Sequence, residues 1–182
     1  MLFRSKEGAG GDKSKMPKYD AKHEAMIPVL QKKIPLKAHA HRADDIFTAL
    51  SIAKEFDLDI TLEHCTEGHL IVDELVRAGK PAIVGPALVS RSKIEIRNAT
   101  YATPGVLADA GIKVGICTDY NVIPLQYLPV CAGLAIKAGM REEDAWKAVT
   151  INTAEICGVA DRVGSLEAGK DADIAIFEGN PL

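Results

Sequence analysis

Charge of one sign, long apolar runs and clustered cysteine are all missing from these 182 residues. The 22 basic and 25 acidic side chains, net −3, are scattered along the chain. No basic stripe exists to grip nucleic acid or an anionic bilayer, so neither is expected as a partner. No stretch approaches the roughly 20 apolar residues that span a membrane, and Met1 to Asp20 lack the apolar centre of a secretory signal. The expected location is cytoplasmic. Cys65, Cys117, Cys131 and Cys157 lie far apart and form no Cys-x-x-Cys pair, which excludes a disulfide framework and reads as reduced core thiols. With 47% hydrophobic residues, what is present suffices for one well-buried domain.

Residues 1–33 carry several lysines and glycines but few apolar side chains in their first 20 positions; they are read as a partly disordered lead-in. From 34 to 160 the pattern is regular. The runs IPLKAHA, LDITLEH, KPAIVGP and IKVGICTD alternate with stretches of helical period. Ile46, Leu50, Ala53 and Phe56 recur at three- and four-residue steps, opposite Asp45, Lys54 and Glu55. A second helix carries Leu70, Ile71, Leu75 and Val76 and stops at Gly79-Lys80-Pro81. The third crossover is longer and leads to a short helix near Gly105 to Ala110, and further helices follow near 125–138, 142–149 and 153–156. Helical connections between apolar strands predict a parallel sheet. Residues 161–182 are turn-rich, then alternate from Ala172 to Phe177 as a strand would.

His39 and His64 are 25 positions apart, one βα unit, and Asp119 follows 55 residues later, two units. All three fall where a parallel strand ends, and in a βα barrel those ends share the face on which active sites are built. Two imidazoles and a carboxylate there suit a divalent cation such as zinc, which takes nitrogen and oxygen donors and keeps a position open for water. Such a cation makes water acidic near neutrality, and a nearby carboxylate can take the proton. His41 shares the face of His39, so spacing alone leaves open which of the two binds. His23 and His69 are left outside the site.

The segments Ala38-His39-Ala40-His41-Arg42-Ala43-Asp44-Asp45-Ile46, Glu63-His64-Cys65-Thr66-Glu67-Gly68, Cys117-Thr118-Asp119 and Asp161 to Ile174, with its Gly-Ser-Leu-Glu-Ala-Gly-Lys core, together resemble the C-terminal half of an amidohydrolase-superfamily enzyme of the imidazolonepropionase-like group. The resemblance implies that His39 and His64 are the metal histidines ending barrel strands five and six. It implies that Asp119 is the strand-eight aspartate that binds metal and shuttles the proton. Arg42 falls where relatives place a substrate contact, and residues 161–182 become the return to an accessory β-sandwich. Tyr120-Asn121 stand where the group commonly has His-Pro, and nothing before His39 supplies the His-x-His pair of strand one.

A complete barrel needs roughly 250 residues, so the expected fold is α/β: βα units five to eight of a TIM-like barrel plus one terminal sandwich strand. Open sheet edges favour a homo-oligomer or a complex with the missing N-terminal half. The expected function is hydrolysis of a non-peptide C–N bond in a small molecule, a cyclic amide or an amidine, by metal-activated water, with one or two ions in the complete enzyme and the fragment inactive alone. His41 and Arg91 join Arg42 as substrate-contacting candidates, Arg91 as a clamp for a carboxylate. Glu63 points away from His64 and reads as structural, and Glu67 as favouring the start of the next helix. Two other readings are a non-catalytic binding or assembly module with residual strand-end histidines, and a receiver-like fold, which lacks the acidic cluster expected at its first strand end.

Overall fold

The computed structural model describes Gly8, Gly10, Asp12, Ser14 and residues 16–182. Part of the lead-in expected to be disordered therefore lies outside the described residues. The rest of it contains an unforeseen helix, α1, over Ala21–Leu30. Asp20 explains its start: the carboxylate accepts from the Lys22 and His23 backbone N–H groups at 2.9 and 3.1 Å, satisfying two amides that would otherwise be orphaned.

Four strands follow, β1 over Leu36–Ala40, β2 over Ile60–His64, β3 over Ala82–Val84 and β4 over Val114–Ile116. They lie side by side in chain order and every pair is parallel. The intervening helices are α2 over Ala43–Glu55, α3 over Val72–Ala78 and α4 over Thr103–Asp109. Beyond β4 come α5 over Leu128–Lys137, α6 over Glu142–Ala148 and α7 over Ile151–Ile156. This is the C-terminal half of a TIM-like barrel, as expected. Among the described residues no helix is long and apolar enough to cross a membrane.

Alternation along the strands sorts the two sheet faces. Ile60, Leu62, Ala82, Val84 and Val114 face the helices and join Ile46, Leu75 and Leu107 in one core. Ile46, Leu62, Leu75 and Leu107 are fully buried, and each contributes about 1.5–3 kcal/mol of transfer free energy. A second core gathers Ile116 and Ile123 with Cys131, Ala132, Ala135, Met140 and Ala145 around α5 and α6. On the opposite face, Lys37 and His39 of β1 stand in register with Thr61 and Glu63 of β2. Glu63 is structural there: it accepts from Thr61 Oγ1 at 2.6 Å and pairs with Lys37 at 3.4 Å.

Four expectations are corrected. Phe56 is 55% exposed because it follows the last turn of α2 and projects past the core. Leu70 and Val76 are likewise exposed, leaving Ile71 and Leu75 as the packing face of the second helix. Cys157 is exposed and not a core thiol. Residues 172–177 form no strand, although Ile176 is 94% exposed. A strand is stable only in a ladder, and no described segment pairs with this one.

Candidate metal centre

The chemistry-bearing side chains gather at the C-terminal ends of the strands. His39 lies in β1 and His41 one residue past its end, so both project to the same side. His64 closes β2, and alternation alone would send it into the core with Leu62. Left-handed backbone at His64 (φ 73°) and Cys65 (φ 44°) breaks that alternation, a conformation that costs a non-glycine residue about 1–3 kcal/mol and is retained where surrounding structure enforces it. His64 Nε2 then comes within 3.0 Å of His39 Nδ1. The rings of His41 and His64 stack with centroids 4.6 Å apart.

Among the described residues these three imidazoles form one group able to hold a metal ion, with one donor atom from each all within 4.8 Å of one another. Two of the three rings are braced by oxygens through their other nitrogen. His64 Nδ1 lies 2.6 Å from the Gly85 carbonyl, to which it can only donate, and His41 Nδ1 lies 2.8 Å from Thr66 Oγ1. Donation from Nδ1 leaves Nε2 of His64 as a lone-pair donor, the second-layer arrangement typical of metal-ligating histidine. His41 is buried, and burial, reinforced by His64 and then His39, pushes its pKa down to about 4. It is therefore neutral at pH 7, the form in which an imidazole binds metal. The donor set fits a divalent cation that prefers nitrogen.

A cavity of about 350 Å³ opens above the cluster. Asp119 lines it together with all three histidines, Lys93 and Val122. Asp119 is exposed, has left-handed backbone (φ 51°), and stands outside the three-imidazole donor group. A second cavity of about 150 Å³ adjoins the first, sharing His64, Thr66 and Pro86 with it and adding Arg91, Tyr101 and Thr103. Arg91 is fixed there by a 2.7 Å hydrogen bond from Nη2 to the Ala99 carbonyl and forms no ion pair with the described residues. Arg42 lines neither cavity; its guanidinium is bound to Asp44 at 2.9 and 3.1 Å. His69 bonds to Thr103 Oγ1 at 2.9 Å, outside the cluster.

The structure thus brings His39, His41 and His64 together, sets Asp119 and Arg91 on cavity walls around them, and leaves Arg42 aside. Sequence reasoning missed the braces, Thr66 and Gly85. Gly85 carries no side-chain signal at all, since its carbonyl does the work. Thr66 sits two residues past a strand-end histidine, but its partner is set by strand register.

A sequence model of the amidohydrolase family matches residues 23–182. An imidazolonepropionase of Bacillus velezensis (strain DSM 23117 / BGSC 10A6 / LMG 26770 / FZB42) is 30% identical over 154 residues, covering 79% of this chain and 34% of that protein. A solved amidohydrolase from Thermotoga maritima MSB8 superimposes with a TM-score of 0.92 at 40% identity, covering 98% of this chain and 47% of that one. An adenosine deaminase from Xanthomonas campestris, at a TM-score of 0.59 and 20% identity, shares the fold alone. The chain spans about a third of the curated imidazolonepropionase and less than half of the solved amidohydrolase.

Proposed function

Because the chain belongs to the amidohydrolase family, we propose that it forms the histidine-rich half of a metal-dependent hydrolase acting on a non-peptide C–N bond in a small molecule, a cyclic amide or an amidine. The observation that carries this reading is the group of three imidazoles, with donor atoms within 4.8 Å of one another, at the floor of a cavity that Asp119 also lines.

His39 through Nδ1 and His64 through Nε2 would hold the cation, with Asp119 completing the set and His41 either a third nitrogen donor or a contact to the substrate. Zinc, when bound, supplies a polarising positive charge that acidifies water and draws electrons from a carbonyl or imine. Asp119 takes the proton from the attacking water, whose oxygen bonds to the carbonyl or imine carbon. It returns that proton to the departing nitrogen as the C–N bond breaks. Gly85 and Thr66 keep the rings oriented through their Nδ1 atoms. Arg91, anchored on Ala99 and without an acidic partner among the described residues, is the clamp for an anionic group on the substrate. Arg42 would have to release Asp44 to take part. Association with a complementary half or with a second copy would complete the barrel wall.

Metal analysis after dialysis against zinc tests the reading. The chain, with its complementary half supplied, takes up stoichiometric metal, and His64→Ala loses it. Asp119→Asn keeps the histidine nitrogens but loses hydrolysis by about 10²–10⁴-fold, the worth of a positioned acid–base group. A preparation without stoichiometric metal even when the complementary half is present would establish the non-catalytic binding module instead.

A further inference from the structure

Glu67 follows His64 by three residues and is 6% exposed. A carboxylate so buried needs partners for both oxygens, and two separate elements provide them. Oε2 accepts from the Ala43 backbone N–H, the first amide of α2, at 2.8 Å. Oε1 accepts from Asn98 Nδ2, also at 2.8 Å. The backbone N–H of Glu67 donates to the His41 carbonyl at 2.9 Å. Arg42, at the N-cap position of α2, gives that helix no side-chain cap, so Glu67 does it from across the sheet. Glu67 also stands at the start of the following turn, Gly68–Leu70, where the sequence places it, but gives that turn no side-chain cap.

These contacts join three pieces of the site. The first is the end of β1, with His39 and His41. The second is the segment leaving β2, with His64. The third is the crossover after β3, to which Asn98 belongs and which supplies Ser90, Ser92, Lys93 and Ile96 to the cavity wall. Burial pushes the Glu67 carboxyl up, but hydrogen bonds from Ala43 and Asn98 and the charges of Arg42 and Arg97 outweigh it and hold the group below its usual range. An ionised acceptor is the strongest available partner for a helix-terminal amide.

The geometry points to Glu67 as a positioning residue of the candidate metal centre: a strut that holds the β1 corner, the β2 end and the cavity wall in one arrangement. It lines neither cavity and so takes no part in chemistry itself. The inference rests on the metal-site reading for its effect on affinity, and on hydrogen bonding alone for its effect on the wall.

The test uses the full chain, cobalt(II) as the probe, and amide hydrogen exchange. Glu67→Ala lowers cobalt affinity about tenfold, the usual effect of removing a partner behind the ligands, alters the visible cobalt spectrum, and speeds exchange across residues 90–99. Glu67→Gln restores both readouts to near wild type, since its amide oxygen still serves Ala43 and its NH2 can donate to a flipped Asn98. Asn98→Ala loosens residues 90–99 but leaves cobalt affinity within threefold. These two variants carry the test should Glu67→Ala fail to fold. Unchanged exchange in 90–99 in Asn98→Ala, or Glu67→Gln matching Glu67→Ala, overturns the strut. So does a Glu67→Ala chain of lower melting temperature with unaltered spectrum and exchange. A wild-type chain that takes no cobalt even with its complementary half supplied sinks the metal reading separately, and exchange still decides the strut.

Discussion

The two ends of the same four-stranded sheet are built on different physical terms. At the ends where the strands begin, charged side chains meet in the open: Lys32 pairs with Asp57 at 2.8 Å and Lys80 with Asp59 at 3.5 Å, all substantially exposed. At the ends where they finish, polar groups are buried and each is matched by a particular partner: His41 to Thr66, His64 to Gly85, Glu67 to Ala43 and Asn98. Left-handed backbone occurs at both, in Lys32 and Asp57 below and in His64, Cys65 and Asp119 above. Below, it only closes exposed turns. Above, it aims a ring. Water satisfies the lower rim whatever the side chains do, whereas the upper rim functions only if the protein itself supplies every partner. Perturbations of equal chemical size should therefore differ greatly in effect between the two ends.

The largest difference is expected at Gly85. Its φ of +139° is disfavoured for any side chain, and a Cβ there would fall on the Cys117 carbonyl oxygen, backbone that cannot swing aside. Gly85→Ala should cost about 4 kcal/mol, combining strain and overpacking, read as a lower urea midpoint. Because the Gly85 carbonyl also braces His64, cobalt binding should weaken in whatever fraction remains folded. The comparison site is Gly79, at the lower rim, where a Cβ meets nothing within 4 Å but φ is +61°. Gly79→Ala should cost only about 1 kcal/mol. Equal losses at the two glycines would break the contrast.

Acid comes next. Burial first, then His64 and His39, with Lys93 adding and Glu95 opposing, keep the folded His41 neutral down to about pH 4, whereas an unfolded histidine titrates near 6.5. Between those values the unfolded chain binds a proton that the folded chain refuses, so stability is lost as pH falls through that window. The full loss is about 3 kcal/mol from this ring alone. Urea midpoints of the metal-free chain at pH 7 and pH 4 measure it. His41→Asn, which cannot titrate, should flatten the dependence; an equally steep fall in that variant would assign the acid sensitivity elsewhere.

Thr66 sharpens the comparison without disturbing the core. Thr66→Val keeps the shape and removes the hydroxyl 2.8 Å from His41 Nδ1. Loss of a brace of this kind lowers metal affinity about tenfold, measurable by competition with a chromophoric chelator. Unaltered affinity would mean that His41 contributes nothing to holding a cation.

The strands, their parallel order and the burial of Ile46 and Leu75 were legible in the sequence because apolar period and βα spacing are local quantities. The spacing of His39, His64 and Asp119 placed all three at strand ends for the same reason. It did not show His41 joining the donor group, since that depends on the path of the chain one residue past the end of β1 and on the left-handed turn that swings His64 toward it. The anchors were hidden more deeply. Gly85 acts through a carbonyl that every residue possesses, and Glu67 pairs with Ala43 and Asn98, 24 and 31 positions away. Residues 172–177 show the reverse failure, in which a strand-like alternation forms no strand where no described ladder receives it.

The smallest effect belongs to the lower rim. Lys80 and Asp59 stand 3.5 Å apart, with side chains 31% and 56% exposed, so their attraction is weakened by water and screened by salt. A double-mutant cycle with Lys80→Ala and Asp59→Ala should give a coupling of less than about 1 kcal/mol, shrinking further at 1 M salt. Cobalt affinity should be untouched, although Asp59 immediately precedes β2, whose other end carries His64. A strand transmits little when its ends are satisfied independently, one by solvent and the other by fixed partners. A measurable shift in metal affinity in either single variant would show instead that the two rims act as one unit through β2.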